Sequence, residues 1–196
     1  MAKVLYSMMS SLDGYIEDAN GDIGFSAPDQ EVHRMANEQT RQAAAFLFGR
    51  GLYEAMEEPW TSAARQEDLP EVEAEFARLY LRTPRIVFSD TLESVPEGVR
   101  LVRRADAVAE VRRLKEETEG ELHLGGAQLA ASLLDLIDEF RLFVMPVAVG
   151  GGKPFLPRGR ELELALTEYR VFASGTLYLR YERRGAVTGT SGPVPV

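Results

Sequence analysis

The stretch Glu121-Leu-His-Leu-Gly-Gly-Ala-Gln-Leu-Ala130 runs a short apolar segment straight into two adjacent glycines, and a helical pattern starts at once. Leu129, Leu133, Leu136 and Ile137 continue it at helical spacing. A strand, a glycine turn and a helix start packed this closely confine the chain to folds in which helices begin at a sheet edge. Such a junction is a ready anion site. The first helical amides lack intrahelical acceptors, the helix dipole favours negative charge, and glycine lets an anion approach the backbone. A second turn of this kind, Phe46-Leu-Phe-Gly-Arg50, lies elsewhere in the chain. Two such turns favour a dinucleotide over a single phosphate. The plainer alternative for Gly125 and Gly126 is a tight strand-to-helix turn with no ligand.

At 196 residues the chain suits one domain with a substantial core. No apolar run approaches the ~18 residues of a membrane span, and the first residues enter a strand with no signal-peptide pattern. Cysteine is absent, which excludes disulfides, thiolate metal sites and cysteine nucleophiles, and makes a reducing cytoplasm the expected compartment. The net charge of −9 is opposite in sign to a nucleic-acid-binding surface. A phosphorylated ligand would need local cations, for which Arg50, Arg85, Arg103 and Arg104 are candidates. The two histidines, His33 and His123, are far apart in sequence, so no metal site is expected. His123, inside a strand, reads as structural.

Periodicity predicts strands over residues 3–9, 45–48, 85–89 and 99–102, and helices over 29–44 and 71–82. Asp106 is expected to cap a further helix, with Val108, Val111 and Leu114 inward. Residues 140–149 read as a strand in which Pro146 implies a sheet edge or a bulge. A hairpin is expected over 168–172 and 176–183, where Leu177, Leu179 and Tyr181 alternate with Tyr178, Arg180 and Glu182. Trp60 falls in a Glu-Pro-Trp loop, and residues 116–121 read as a solvated acidic helix end. The Gly/Ser/Pro-rich residues 185–196 read as a flexible tail after a single domain over 1–184. The order of elements specifies α/β class with a mostly parallel sheet and an antiparallel C-terminal edge hairpin. Ligands in such sheets sit at the carboxyl ends of the strands, so Gly49, Ser89 and Gly125 are expected to line one cleft.

Six segments stand in a recognisable order. They are Ser11-Leu-Asp-Gly-Tyr-Ile16, Gly49-Arg-Gly-Leu-Tyr-Glu54, Val87-Phe-Ser-Asp-Thr-Leu92 and Leu124-Gly-Gly-Ala-Gln-Leu129. Then come Asp138-Glu-Phe-Arg-Leu142, leading to Pro146 and Gly150-Gly-Gly-Lys-Pro-Phe155, and Ser174-Gly-Thr-Leu-Tyr-Leu179. Together they resemble the dihydrofolate reductase superfamily, and more closely its riboflavin-biosynthesis branch, the C-terminal domain of bacterial deaminase-reductases. The resemblance implies a three-layer dihydrofolate reductase-like fold and NADPH as cofactor. Gly49 and Arg50 would bind cofactor phosphate. Leu124, Gly125, Gly126, Ala127 and Gln128 would form the diphosphate turn, Ser89 would lie near the adenosine 2′-phosphate, and Leu12 and Ile16 would flank the nicotinamide. A homodimer through the C-terminal strands is expected partly from this likeness and partly from the proline-bearing apolar run at 140–149.

Two residues depart from the pattern. Asp90 would repel a 2′-phosphate unless Arg103 or Arg104 compensates. Dihydrofolate reductases hold the pterin with a carboxylate on the first helix; Asp29 and Glu31 are near, but aligning Pro28 puts Gln30 in that place, which argues against folate. The resemblance thus implies hydride transfer from NADPH to a C=N or C=O carbon of a small heterocycle or ribosylamino-pyrimidine, similar to 5-amino-6-(5-phosphoribosylamino)uracil reductase. Asp13 or an ordered water would supply the proton. No deaminase zinc signature is present, so a stand-alone reductase is expected. The alternatives are a non-catalytic nucleotide-binding module and a pterin or folate reductase.

Overall fold

In chain order the elements are β1 (Lys3–Ser11), β2 (Tyr15–Glu17), α1 (Gln30–Thr40), β3 (Ala43–Gly49), α2 (Arg50–Ala63), α3 (Glu71–Arg82), β4 (Arg85–Phe88) and β5 (Val99–Val102). They continue with α4 (Ala107–Glu117), β6 (Glu121–Gly125), α5 (Ala127–Ser132), β7 (Glu139–Met145), β8 (Lys153–Pro154), β9 (Leu164–Val171) and β10 (Leu177–Arg183). This computed structural model describes residues 1–184, and the tail expected at 185–196 lies outside them.

Strand parity sorts the core into two layers. In β3, Ala45 and Leu47 face one cluster and Phe46 and Phe48 the other; in β4, Ile86 and Phe88 oppose Val87. The first cluster takes in Val111 and Leu114 of α4 and Leu129 and Ala130 of α5. On the opposite side lie Tyr53 of α2 and Phe76 and Tyr80 of α3, with Val32 of α1 against Phe143 and Tyr178. Helices therefore cover both faces of one eight-stranded sheet, ordered β5-β4-β3-β6-β1-β7-β10-β9. Strands β5 to β7 in that order are parallel, and β10 and β9 close the sheet as an antiparallel pair. Burying a side chain such as Leu122 or Phe140, neither of which is exposed, stabilises the fold by roughly 1.5–3 kcal/mol.

Several expectations need correction. Residues 50–63 form a helix, so Trp60 is helical and Pro59 lies inside α2. α1 stops at Thr40, and residues 43–44 belong to β3. Asp106 occupies a cap position but makes no side-chain cap bond, and Val108 is 38% exposed. β7 is an interior strand, paired to β1 and β10, and ends at Met145. Pro146 therefore marks a strand end, because β7 needs its amides for two ladders. Glu121 is part of β6, and its carboxylate pairs with His123 at 2.9 Å and Arg141 at 2.8 Å; Arg141 also bonds the buried Glu139. Among the described residues, no helix is long and apolar enough to cross a membrane.

Candidate active site

Gly49 both ends β3 and caps α2, so strand and helix join without a linker. β6 ends at Gly125, and Gly126 caps α5 with φ +97°, a conformation open to glycine and costly to other residues. Phe48 pairs with Gly125 in the ladder, which puts the two turns side by side. A Cβ built on Gly126 would lie 3.8 Å from the Gly49 nitrogen and 3.7 Å from Leu52 Cβ. A Cβ on Gly125 would overlap the Leu52 side chain, so this glycine lets the first turn of α2 rest on β6. Neither helix has a side-chain cap. Two helix starts thus present amides unclaimed by side chains at neighbouring strand ends. Arg50 is half-exposed beside them and only loosely paired with Glu54, at 3.9 Å. Gln128 is exposed, whereas Leu124 is buried in the core and offers only its backbone.

Ser89 follows β4, next to Gly49, through the Gly49–Phe88 pairing. Its hydroxyl is turned inward, accepting the amides of Thr91 and Leu92 at 3.2 and 3.1 Å, and the residue is 2% exposed. Asp90 accepts the backbone amide of Arg104 at 2.9 Å. Arg103 donates to the carbonyls of Ser89 and Leu92 at 3.2 and 3.0 Å. The Asp90 carboxylate thus braces this turn, and Arg103 is committed to backbone. The Arg104 side chain is exposed.

β1 pairs with β6 only as far as Tyr6 and Leu124, then continues five residues to Ser11 beside β7 alone. The sheet therefore splits at its centre, directly beside the glycine pair. Ser10, on the stretch that has left β6, is 1% exposed, and its hydroxyl has no partner among the described residues. Leu12 is largely exposed at the end of this strand, and Ile16 is buried in the main core cluster. Asp13 Oδ1 accepts Val149 N at 3.1 Å and Oδ2 accepts Gly150 N at 2.7 Å. The Ser11 hydroxyl, then these amides, hold its carboxyl below the usual carboxylate range. Asp13 is therefore an ionised clamp between two loops. The β2–β8 ladder and the Glu17–Lys153 pair join the same loops.

On the α1 side of the sheet, a cavity of about 230 Å³ is lined by Phe25, Ala27, Asp29, Met145, Ser174 and Thr176, among others. Val147, also in its wall, accepts the Leu12 amide at 2.7 Å, so the cavity adjoins the loop at the end of β1. Asp29 caps α1 through Oδ1 alone, which accepts Glu31 N at 2.7 Å and Val32 N at 2.9 Å. The Ser174 hydroxyl, then the Val32 amide, lower its pKa. Gln30 is the first exposed residue of α1 and does not line the cavity. An Asp just ahead of a helical run is the sequence signal for a cap, and Asp29 carries it. A larger cavity, about 430 Å³, opens at the amino-terminal ends of β3, β4 and β5 with Arg85 in its wall, so Arg85 lies at the opposite strand ends from the glycine turns and is not a cation for them. Among the described residues no three His, Asp or Glu side chains converge as a metal site.

Comparison with known proteins identifies the family and the fold. The RibD C-terminal domain family matches residues 2–178. An uncharacterised Bacillus subtilis (strain 168) protein, YyaP, is 27% identical over 187 residues, covering 93% of this chain and 96% of that one. A Shewanella sp. PV-4 protein named for riboflavin biosynthesis superposes with a TM-score of 0.70 at 24% identity, covering 94% of this chain and 100% of its own. The Thermotoga maritima diaminohydroxyphosphoribosylaminopyrimidine deaminase/5-amino-6-(5-phosphoribosylamino)uracil reductase gives 0.66 at 17% identity, over 93% of this chain and 56% of that longer chain. Enterococcus faecalis dihydrofolate reductase, complexed with NADP(H), gives 0.62 at 16% identity over 93% and 97%. The fold is thus dihydrofolate reductase-like.

Proposed function

The chain belongs to the RibD C-terminal domain family, and from that premise we propose that it is an NADPH-dependent reductase of a ribosylamino-pyrimidine or similar small heterocycle. The observation that carries this reading is the pair of adjacent helix starts without side-chain caps, with the Gly126 Cβ position 3.8 Å from Gly49 N. Two such starts suit the two phosphates of a dinucleotide. Support for the cofactor also comes from the NADP(H) complex of the E. faecalis relative, and for the substrate from the T. maritima relative's name.

In this reading the turns at Gly49 and Gly125–Gln128 would hold the diphosphate, with Arg50 as its cation. Arg104, whose amide Asp90 holds in place, meets the adenosine 2′-phosphate; the engaged Ser89 hydroxyl does not. Ser10, with its unpaired hydroxyl in the split between β6 and β1, would hold the nicotinamide amide, and Leu12 would shield it from solvent. Bound NADPH supplies the hydride, and the protein supplies position and electrostatics. Asp13 stays ionised and holds the loop beneath Leu12, so an ordered water delivers the proton. The substrate occupies the cavity beside Asp29. The absence of cysteine suits a reducing cytoplasm.

The test is NADPH oxidation with a 5-amino-6-ribosylaminouracil 5′-phosphate and, in parallel, with dihydrofolate. Oxidation with the pyrimidine and none with dihydrofolate is expected. NADPH binding without turnover of any pyrimidine tried would instead mark a non-catalytic nucleotide-binding module.

A further inference from the structure

Glu57 lies two turns into α2, and its side chain is 15% exposed. Its Oε2 accepts the Tyr80 hydroxyl at 2.7 Å and sits 3.2 Å from Arg85 Nε. Arg85 donates through Nη1 to the carbonyls of Tyr80 and Leu81 at 2.9 and 3.2 Å, satisfying the last turn of α3. Its guanidinium carbon also lies 5.0 Å from the Tyr80 ring centre, and Tyr80 is wholly buried. One carboxylate oxygen thus ties the middle of α2 to the end of α3 and the start of β4.

That tie matters because of how the rest of α2 is held. At its start, α2 is hinged directly on β3 at Gly49, and Leu52 rests on the glycine pair. Two residues beyond Glu57, Pro59 lacks the amide that would bond the carbonyl of Ala55, so the helical ladder is broken there. The C-terminal half packs through Trp60 on Phe76, with ring centres 4.5 Å apart, in the same cluster as Tyr53 and Tyr80. The half that carries the phosphate-facing amides is oriented by the packing of Leu52, Tyr53 and Met56 and, through a buried polar tie, by Glu57.

We infer that Glu57 is a positioning residue for the cofactor, acting through Tyr80 and Arg85 to aim the first-turn amides of α2 at the dinucleotide. This rests on the reading of the glycine turns as the cofactor site. Fixed dipoles act on a charge only where they are aimed, so loosening the anchor weakens binding without touching a ligand contact.

The experiment measures NADPH dissociation constants for Glu57→Ala, Glu57→Gln and Tyr80→Phe, well below each melting temperature. Glu57→Ala should weaken binding about tenfold. Glu57→Gln, which keeps an oxygen for the Tyr80 hydroxyl, should recover roughly half of that effect, and Tyr80→Phe should fall between. Energy transfer from Trp60, the chain's one tryptophan, to saturating NADPH should also change in Glu57→Ala. Tyr80→Phe removes one hydroxyl and keeps the ring packing, so it still tests the tie if Glu57→Ala does not fold. Lower melting temperatures with unchanged NADPH affinity and energy transfer would overturn the inference and leave Glu57 a purely structural residue. A wild-type protein that does not bind NADPH at all would overturn the cofactor reading, and the inference with it.

Discussion

Gly126 and Gly49 sit back to back, with the Cβ position of the first 3.8 Å from the backbone nitrogen of the second. They come from turns more than seventy residues apart in sequence, joined through the Phe48–Gly125 register. The contact places the start of α2 beside the start of α5, and the proposed cofactor site follows from that adjacency.

Substituting Asp29 separates its two roles. Oδ1 takes both cap bonds, and the carboxyl also faces the Ser174 hydroxyl in the cavity wall. Asparagine caps a helix about as well as aspartate, so Asp29→Asn should keep the melting temperature within a few degrees. It replaces one carboxylate oxygen with a donor, and should raise the substrate KM at least about tenfold if the substrate presents N–H groups there. Steady-state kinetics with the pyrimidine substrate check this; an unchanged KM would remove Asp29 from the substrate site.

Stability should fall on acidification in two stages. Burial pushes the pKa of His123 below the histidine reference of 6.5, against the opposing pull of Glu121, with Arg141 adding to the fall and Glu139 opposing it. Burial likewise lowers His33. The unfolded chain therefore protonates first, so stability present above about pH 6.5 is lost as the pH drops through that value. A second loss comes below about pH 4, where carboxyls lowered in the fold, such as Glu121, held to about 2 by bonds to His123 and Arg141 despite burial, must protonate. Melting temperatures should decline toward acid in two steps, the first below about pH 6.5 and the second below about pH 4. A rise between neutral pH and about pH 5.5 would contradict the buried, neutral assignment of both histidines.

Self-association is expected through the outer sheet edge. Among the described residues β9 is unpaired on one side, with Tyr169 61% and Val171 64% exposed. They lie opposite Leu179 and Leu177, whose side chains are half-buried. A long apolar edge strand is usually covered, and a two-fold copy is the commonest cover. Light scattering should give twice 21.8 kDa, reverting to the monomer in a Tyr169→Lys, Val171→Lys variant. A wild-type monomer at micromolar concentration would dispose of the dimer.

Much of the fold was legible in the sequence because strand parity and glycine turns are local signals. Val99–Val102, Glu71–Arg82 and the final hairpin fall close to where the periodicity puts them. α2 was hidden by Pro59, which reads as a breaker; here the Tyr53 and Trp60 packing carries the helix across it. The β2–β8 ladder is a pairing between distant segments, and nothing in either alone announces it. At the site, the glycine turns were readable, but the inward Ser89 hydroxyl and the Asp13 clamp depend on groups brought together by folding. The same holds for Asp29 facing Ser174 across 145 residues of chain.

The most direct test is a thermal melt of wild type and Gly126→Val, each with and without NADPH. At φ +97° a valine is strained, so the variant should melt lower even without ligand. Saturating NADPH should raise the wild-type melting temperature by several degrees, and should leave the folded variant unmoved, because the side chain blocks the approach to the α5 amides. Equal stabilisation of both proteins by NADPH would show that the glycine pair is only a turn, and would contradict the cofactor site described here.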